Sequence, residues 1–566
     1  MASRRREMWD IGNTTVRNAE RIPGALRVFA DSIAGRKWDK AAQEAYWQAL
    51  KDAGVIESES TDERASLGRK FYSALRQLGF IHLAPDSTVS VTAVGDALLD
   101  SPELVESIFL RQLIKYTIPS PLEEQDLINL RPFYLLLRLL KEAEKAGLIG
   151  LTLDEVAAFV IPTLTDDEET IASAVSRIAA FREEYASKSG VVAKRQFAAR
   201  TLERATPSRK RPGTLRDYAD SSLRYARLSG LVTIEATGGR YVLSPSRREV
   251  IERLLADYPA RPLFDSYLAE LHDPEKPTLP TDDVTLAAAH VRALRKRLAD
   301  VPESEALLDE RELVEVTGNV EQQKVVHRLE ATFRSLQEER FYREQATAQA
   351  LTEVRQLLLD IKHRRLSASQ AYAPAFLEWA IWRLFLAINE IASDISATRG
   401  FEVDEDMIPR GTARGGIPDL VFEYSDWVLV VEVTLTKSGR QEGAEGEPVR
   451  RHVAQVARDY PGKRVLCLFV APEIALDTYN TFYNGVYFVS AEESVDTPVV
   501  ALTIDDMVSL IDAMLARGEP IRNPDVKEVL TAILEIRSDF AHGPQWGASY
   551  PELFGTWISR VATGTT

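Results

Sequence analysis

The sequence predicts a multidomain α+β protein: two winged-helix-like subdomains, a helical linker, and a C-terminal α/β domain with a mixed sheet. Three observations lead there. The order helix, short hairpin, helix occurs twice before residue 281. Residues 282–370 are charged and helix-forming, without strand signals. From Ala371 the pattern turns to α/β, with apolar runs of strand length between amphipathic helices. A chain of 566 residues holds roughly three or four domains. The boundaries read as 1–150, 151–281, 282–370 and 371–566.

The first pattern opens with "MWDIGNTTVRNAERIPGALRVF", a polar, arginine-bearing segment that leads into an amphipathic helix. "GRKFYSALRQLGFIHLAPDSTVSVTAVGDALL" then reads as helix, strand "FIHLA", turn "PDS", strand "TVSVTA" and helix. The order returns in "TLRDYADSSLRYARLSGLVTIEATGGRYVLSPSRREVIERLL", with Gly238-Gly239 at the turn. Between them, "LTLDEVAAFVIPTLTDDEETIASAVSRIAAFREEYA" is helical. Winged helices place one helix in the major groove of DNA. They also serve as protein–protein modules, so the pattern alone leaves both readings open.

Bulk properties narrow the classes. Hydrophobic residues make up 45% of the chain, enough for sizeable cores. The opening "MASRRREMWD" has charge but no apolar h-region, so no signal peptide is expected. No run reaches transmembrane length, and no membrane partner is expected. The single cysteine, Cys467, excludes an internal disulfide and a cysteine-rich zinc site, and fits a reducing cytoplasm.

The formal net charge of −16 argues against nucleic acid until its distribution is read. From Lys188 to Arg227 there are eleven Lys/Arg against three acids, Glu203, Asp217 and Asp220. In "PSRKRPG", a loop by its Pro and Gly, Arg209, Lys210 and Arg211 are placed to follow phosphates. Arg224 and Arg227 lie on the helix before the second hairpin, where base contacts are made. The plain alternative is a solvated basic face.

In the C-terminal part, "AYAPAFLEWAIWRLFLAINEIA" is a nearly all-apolar helix starting near Pro374. "KRVLCLFVAPEIA" and "GVYFVSA" read as buried strands, and "ALTIDDMVSLIDAMLAR" and "NPDVKEVLTAILEIRSDF" as helices. Between the first helix and these strands stands "GIPDLVFEYSDWVLVVEVTLTKSGRQ", two hydrophobic runs flanking Ser425-Asp426. With those two residues as the turn, Tyr424 faces Trp427 and Asp419 faces Glu432. Opposed residues share one face, with Cβ atoms roughly 4.5–5.5 Å apart. Two carboxylates at about 5 Å repel by roughly 3 kcal/mol at an effective dielectric near 20. A favourable cross-strand pair gains only about 0.2–1 kcal/mol. A proton on one acid, or a hard divalent cation such as Mg²⁺, would offset the repulsion. A one-residue slip would put the acids on opposite faces.

Further candidates surround the pair. Glu378 sits in the apolar helix among Phe376, Leu377, Trp379 and Ile381, where a lone carboxylate is costly unless it is paired with Arg383 or bound to metal. "RQEGAEGEPVRRHV" adds Glu445, Glu447 and His452. Glu445 and His452 are in reach of a metal-bound water, although a single histidine is more often a surface residue. No HExxH or Cys/His spacing suggests catalytic zinc. Carboxylates holding Mg²⁺ on a hairpin suit phosphodiester hydrolysis.

The "PD" of Asp419, the acid of "VEVT" thirteen residues on, and the preceding helical Glu378 resemble the PD-(D/E)xK nuclease superfamily. Taken with "IGNTTVRN", "FLEWAIWRLFLAIN", "PDLVFEYSDWVLVVEVTL" and "EGEPVRRHV", they resemble the AlwI-type family of type IIS restriction and nicking endonucleases, over about residues 8–555. The resemblance implies winged-helix recognition subdomains, a helical linker and a C-terminal cleavage domain. It places Glu378, Asp419, Glu432 and Glu445 at metal-site positions, with Mn²⁺ as a substitute for Mg²⁺, and His452 in the active site. Asn13, Thr14 and Arg17 of "IGNTTVRN" are expected at DNA. One departure is that the superfamily lysine, two residues after the glutamate, is Thr434 here. His452 or Glu445 then has to serve as the general base.

The expectation is a Mg²⁺-dependent endonuclease of a prokaryotic cytoplasm, acting on double-stranded DNA to one side of a short asymmetric site. A cognate DNA methyltransferase is expected in the host. A monomer is expected in solution, with a transient homodimer or a small nuclease subunit for the second strand. The alternative is a DNA-binding regulator with a decayed nuclease domain.

Overall fold

The computed structural model describes residues 7–564 except 13–15, 17–18, 57–63, 124–126, 208–209, 237–238, 316–318, 367–371, 389 and 438. The chain forms two compact units, Met1–Glu235 with Gly239–Phe333, and Arg334–Thr566 with Ala236–Gly238. The division falls inside the helix Asn319–Glu344, within the stretch expected to be a linker. That stretch is helical as expected, but its helices are built into the units. Val284–Arg297 packs on Arg248–Ala256 in the first unit, and Ala348–Lys362 on Ala373–Leu386 and Ile504–Arg517 in the second. The physical reason is that each carries an apolar face, including Val291 and Leu294 in one and Leu357 and Leu358 in the other, all buried.

In the first unit both expected hairpins form. The helix Arg64–Gln77 leads into β1 (Ile81–Leu83) and β2 (Val89–Val91), then the helix Ala93–Asp100, capped by Thr92. The helix Pro212–Leu228 leads into β3 (Val232–Ile234) and β4 (Tyr241–Leu243), then Arg248–Ala256. Pro212 and Gly213 of the expected loop already belong to the helix. Proline suits a first turn because its missing N–H has no partner there anyway.

A segment near the start is threaded through this unit. Trp9 is fully buried and donates its indole N–H to the Val160 carbonyl at 3.2 Å. Ile11 N–H donates to Ser222 Oγ (3.0 Å), and Ser221 Oγ donates back to the Ile11 carbonyl (2.9 Å). Gly12 N–H donates to Gln77 Oε1 at 2.7 Å. A Cβ on Gly12 would lie 2.3 Å from the Tyr225 ring, and its φ of +74° is itself a glycine conformation. The segment thereby ties the helices that precede both hairpins.

The second unit holds the mixed sheet, in the order β10-β7-β6-β5. β5 (Leu420–Glu423) and β6 (Trp427–Val433) are antiparallel, while β6, β7 (Arg464–Ala471) and β10 (Val499–Thr503) run parallel. Two expectations are corrected. "GVYFVSA" is no buried strand: β8 (Val486–Phe488) pairs only with β9 (Ser494–Asp496), and Phe488 is 72% exposed. The fourth sheet strand is β10, whose last three residues were assigned to a helix. That helix begins at Ile504 because Thr503 caps it in a capping box with Asp506. A further helix, Gly543–Thr563, packs on Leu476–Asn484 and Ile504–Arg517 with Trp546, Tyr550 and Trp557 buried.

Candidate active site

The apolar helix Ala373–Leu386 buries residues on all its faces, and Glu378 among them is only 4% exposed. Its Oε2 accepts the Ala413 N–H at 2.7 Å. The alternative partner, Arg383, is occupied elsewhere. It donates to Gln345 Oε1 (2.7 Å) and Glu353 Oε2 (3.1 Å) and lies over the Trp379 ring.

The hairpin has the expected register. Leu420 pairs with Val431 and Glu423 with Val428, and Tyr424 N–H donates to the Trp427 carbonyl at 2.9 Å. One step beyond the ladder, Asp419 stands opposite Glu432. Asp419 Oδ2 accepts the Val433 N–H at 2.8 Å, which turns its carboxyl inward. Gly400 supports this corner. Its N–H donates to the Asp419 carbonyl at 2.8 Å, and a Cβ there would lie 2.4 Å from the Pro418 carbonyl oxygen.

The helix Arg440–Asp459 supplies two more groups, Glu445 and His452, two turns apart and so on one face. His452 Nδ1 meets Glu432 Oε1 at 2.8 Å, and its buried Nε2 has no partner. Glu445 Oε1 accepts from Thr434 Oγ1 (2.7 Å) and Thr436 Oγ1 (3.3 Å). Lys437 pairs with Glu473 at 3.1 Å, and Glu447 with Arg451 at 3.3 Å.

Acids accumulate where little solvent reaches, with Glu378 and Glu432 buried and Asp419 half-buried. Burial, then the Asp419 charge, holds the Glu378 carboxyl well above the usual carboxylate range. Burial, then Glu432, does the same to Asp419; burial, then Glu445, does it to Glu432. Burial, then Arg451, pushes His452 down, which favours a neutral imidazole. Among the described residues, none of Glu378, Asp419 and Glu432 has a Lys or Arg ion pair within 4.0 Å, only Glu432 having a histidine. Such acids hold protons or need a cation. The oxygen donors suit a hard divalent ion rather than zinc. Among the described residues, no three His, Cys, Asp or Glu are drawn together tightly enough to hold a metal as they stand.

The residues expected at DNA separate into groups. Asn13, Thr14, Arg17 and Arg209 lie outside the described residues. Lys210 and Arg211 are exposed. Arg224 and Arg227 are half-buried; Arg224 pairs with Asp220 at 3.2 Å, and Arg227 is also engaged within the fold. Sequence reasoning missed Thr436, Gly400 and the Ala413 N–H. Gly400 had a signal in its isolated glycine before an extended run; a backbone N–H has none.

The AlwI restriction endonuclease family model matches residues 76–510 of the chain. No curated protein matches it. Among solved structures, the small subunit (R.BspD6I2) of the heterodimeric restriction endonuclease R.BspD6I is similar at 21% identity and a TM-score of 0.28, over 38% of this chain and 100% of that one. The BpuJ1 endonuclease binding domain, solved with pyrene- and phenanthrene-modified DNA, is similar at 15% identity and a TM-score of 0.34, over 47% of this chain and 90% of that one.

Proposed function

The chain belongs to the AlwI restriction endonuclease family, and from that premise we propose that it is a Mg²⁺-dependent, type IIS endonuclease that hydrolyses DNA a few bases to one side of an asymmetric site. The observation that carries the reading is the set of buried Glu378 and Glu432 with half-buried Asp419, which lacks any Lys or Arg ion pair among the described residues. A Mg²⁺ held by these oxygens would supply charge at the scissile phosphate and acidify the attacking water.

The chain's own groups do the rest. Backbone N–H groups of Ala413 and Val433 orient Glu378 and Asp419 and leave their other oxygens available. Glu432 orients the imidazole of His452, whose unpartnered Nε2 is placed to take a proton from water. Glu445 is held by two hydroxyls, so His452 is the better base and Glu445 the better support. The winged-helix character of the two hairpin units belongs to the same reading, as does a monomer that recruits a second nuclease domain for the second strand. Incubating supercoiled plasmids of varied sequence with the protein and Mg²⁺ tests it. Discrete nicked or linear products with common ends are expected. Plasmid left supercoiled would favour a DNA-binding regulator with a decayed nuclease domain.

A further inference from the structure

We infer that the exposed half of the helix Val191–Ala205 docks on the sugar–phosphate backbone of duplex DNA through Arg195, Arg200 and Arg204. The inference rests on the DNA-cutting reading above. The inner side of this helix is fixed: Phe197 stacks on Phe181 at 5.4 Å, Lys188 and Lys194 lie over the Phe197 and Tyr185 rings, and Leu202 is 3% exposed. Its exposed half carries the three arginines, Arg200 and Arg204 toward one edge and Arg195 at the other, with Glu203 as the acid among them.

All three lack ion partners among the described residues, whereas several arginines of the first unit pair with acids, as Arg182 does with Glu155, Arg216 with Asp154 and Arg248 with Glu144; what distinguishes the three is that they share one helix. Among the described residues, Arg195, Arg200 and Arg204 have no ion pair, in a chain whose net charge is −16. An acidic protein that leaves three guanidiniums unmatched on one rigid helix presents them to an anion outside itself. From Arg195 to Arg204 the helix rises about 13.5 Å, a length over which one DNA strand advances by about four nucleotides along the duplex axis at 3.4 Å each. The surface continues into exposed Lys210 and Arg211, just beyond the helix. Charge spread both along and around the helix fits an extended polyanion better than a single anionic ligand, and phosphate contacts position a protein without reading bases.

The test uses the full-length protein, in Ca²⁺ so that nothing is cut. Binding to a duplex carrying the cleaved sequence, and to a scrambled duplex, is followed across a salt series. The variant is Arg195→Gln/Arg200→Gln/Arg204→Gln. A charge-matched control is Arg311→Gln/Arg328→Gln/Arg343→Gln, whose arginines pair with Asp309, Glu312 and Glu339. Three lost phosphate contacts reduce the slope of log K against log salt by about 2.7. We expect that loss in the variant, equally on both duplexes, and not in the control; melting curves check that all three proteins are folded. An unchanged slope in the folded variant, or an equal change in the control, overturns the inference while leaving the nuclease reading intact. A wild-type protein that binds neither duplex overturns the reading itself.

Discussion

Thr434, one residue past the end of β6, donates its hydroxyl to Glu445 Oε1 across 2.7 Å. The donor is neutral, and its acceptor comes from the next helix. Hydrogen bonds to charged groups contribute about 1.5–3 kcal/mol. Thr434→Val should therefore cut more slowly by about 10–100-fold, with DNA affinity in Ca²⁺ unchanged, and Thr434→Ser should recover most of the rate. Equal losses in both variants would mean that the methyl group, not the hydroxyl, matters.

Asp419→Ala and Glu432→Ala should abolish cleavage while binding persists. Loss of a metal ligand removes several kcal/mol of transition-state stabilisation, or about a thousandfold or more in rate. A mobility shift in Ca²⁺ beside a cleavage assay in Mg²⁺ separates the two effects. Near-normal cutting by either variant would refute the site assignment.

Stability should respond to pH in an unusual direction. Glu378, Asp419 and Glu432 are held above the ordinary carboxylate range, so the folded chain keeps protons that the unfolded chain releases. Their contribution is complete below the unfolded values, near 4, and declines as pH rises through the raised folded values. Each retained proton makes this about 1.4 kcal/mol per pH unit. Without divalent ions, the second unit should melt lower at pH 8 than at pH 6. Mg²⁺ should reverse this at pH 8. Asp419→Asn should melt higher than wild type at pH 8 and respond less to Mg²⁺. A melting temperature of the wild type that does not move between those pH values, with or without Mg²⁺, contradicts the argument.

Truncation should be sensitive to the place of the cut. His290 Nε2 lies 2.9 Å from Glu330 Oε1, and Arg247 pairs with the same oxygen, all buried in the first unit. A fragment ending at residue 280 loses His290 and Glu330 and keeps the pair of Arg247 with Glu106 at 3.0 Å. Breaking a buried ion pair costs about 3–5 kcal/mol. Residues 1–345 should fold and bind DNA without cutting, whereas residues 1–280 should aggregate or melt early. Circular dichroism melts of the two fragments decide this.

On the proposed reading one carboxylate hairpin would act on one phosphodiester, and the sequence holds no second copy of it. Open circles should accumulate before linear product on a one-site plasmid, with a nick-to-linear ratio that falls as protein concentration rises. Linear product without open circles at every concentration would point to a preformed dimer.

The second unit was the more legible in sequence, and the hairpin shows why. Its register follows from counting outward from Ser425-Asp426, because strand periodicity and a two-residue turn leave little freedom. Glu378 was legible because a carboxylate in an apolar helix is an anomaly. β10 was not, because Thr503 both ends the strand and caps the next helix, and the two patterns share "ALT". The helix Gly543–Thr563 was hidden by Gly547 and Pro551; Gly547 is needed because a Cβ there would lie 2.6 Å from the Tyr479 ring. The contacts of Ile11 with Ser221 and Ser222 were illegible too, since they join residues more than two hundred positions apart.

That early segment also sets an order of events during synthesis. The Trp9 indole waits for Val160, 151 residues on, and the Ile11 amide for Ser222, 211 residues on. Contacts so distant along the chain form late and slow folding. A nascent first unit therefore emerges with its opening residues unsatisfied and apolar, and closes only once the second hairpin's leading helix has left the ribosome. Until then the early segment cannot tie together the helices that precede the two hairpins.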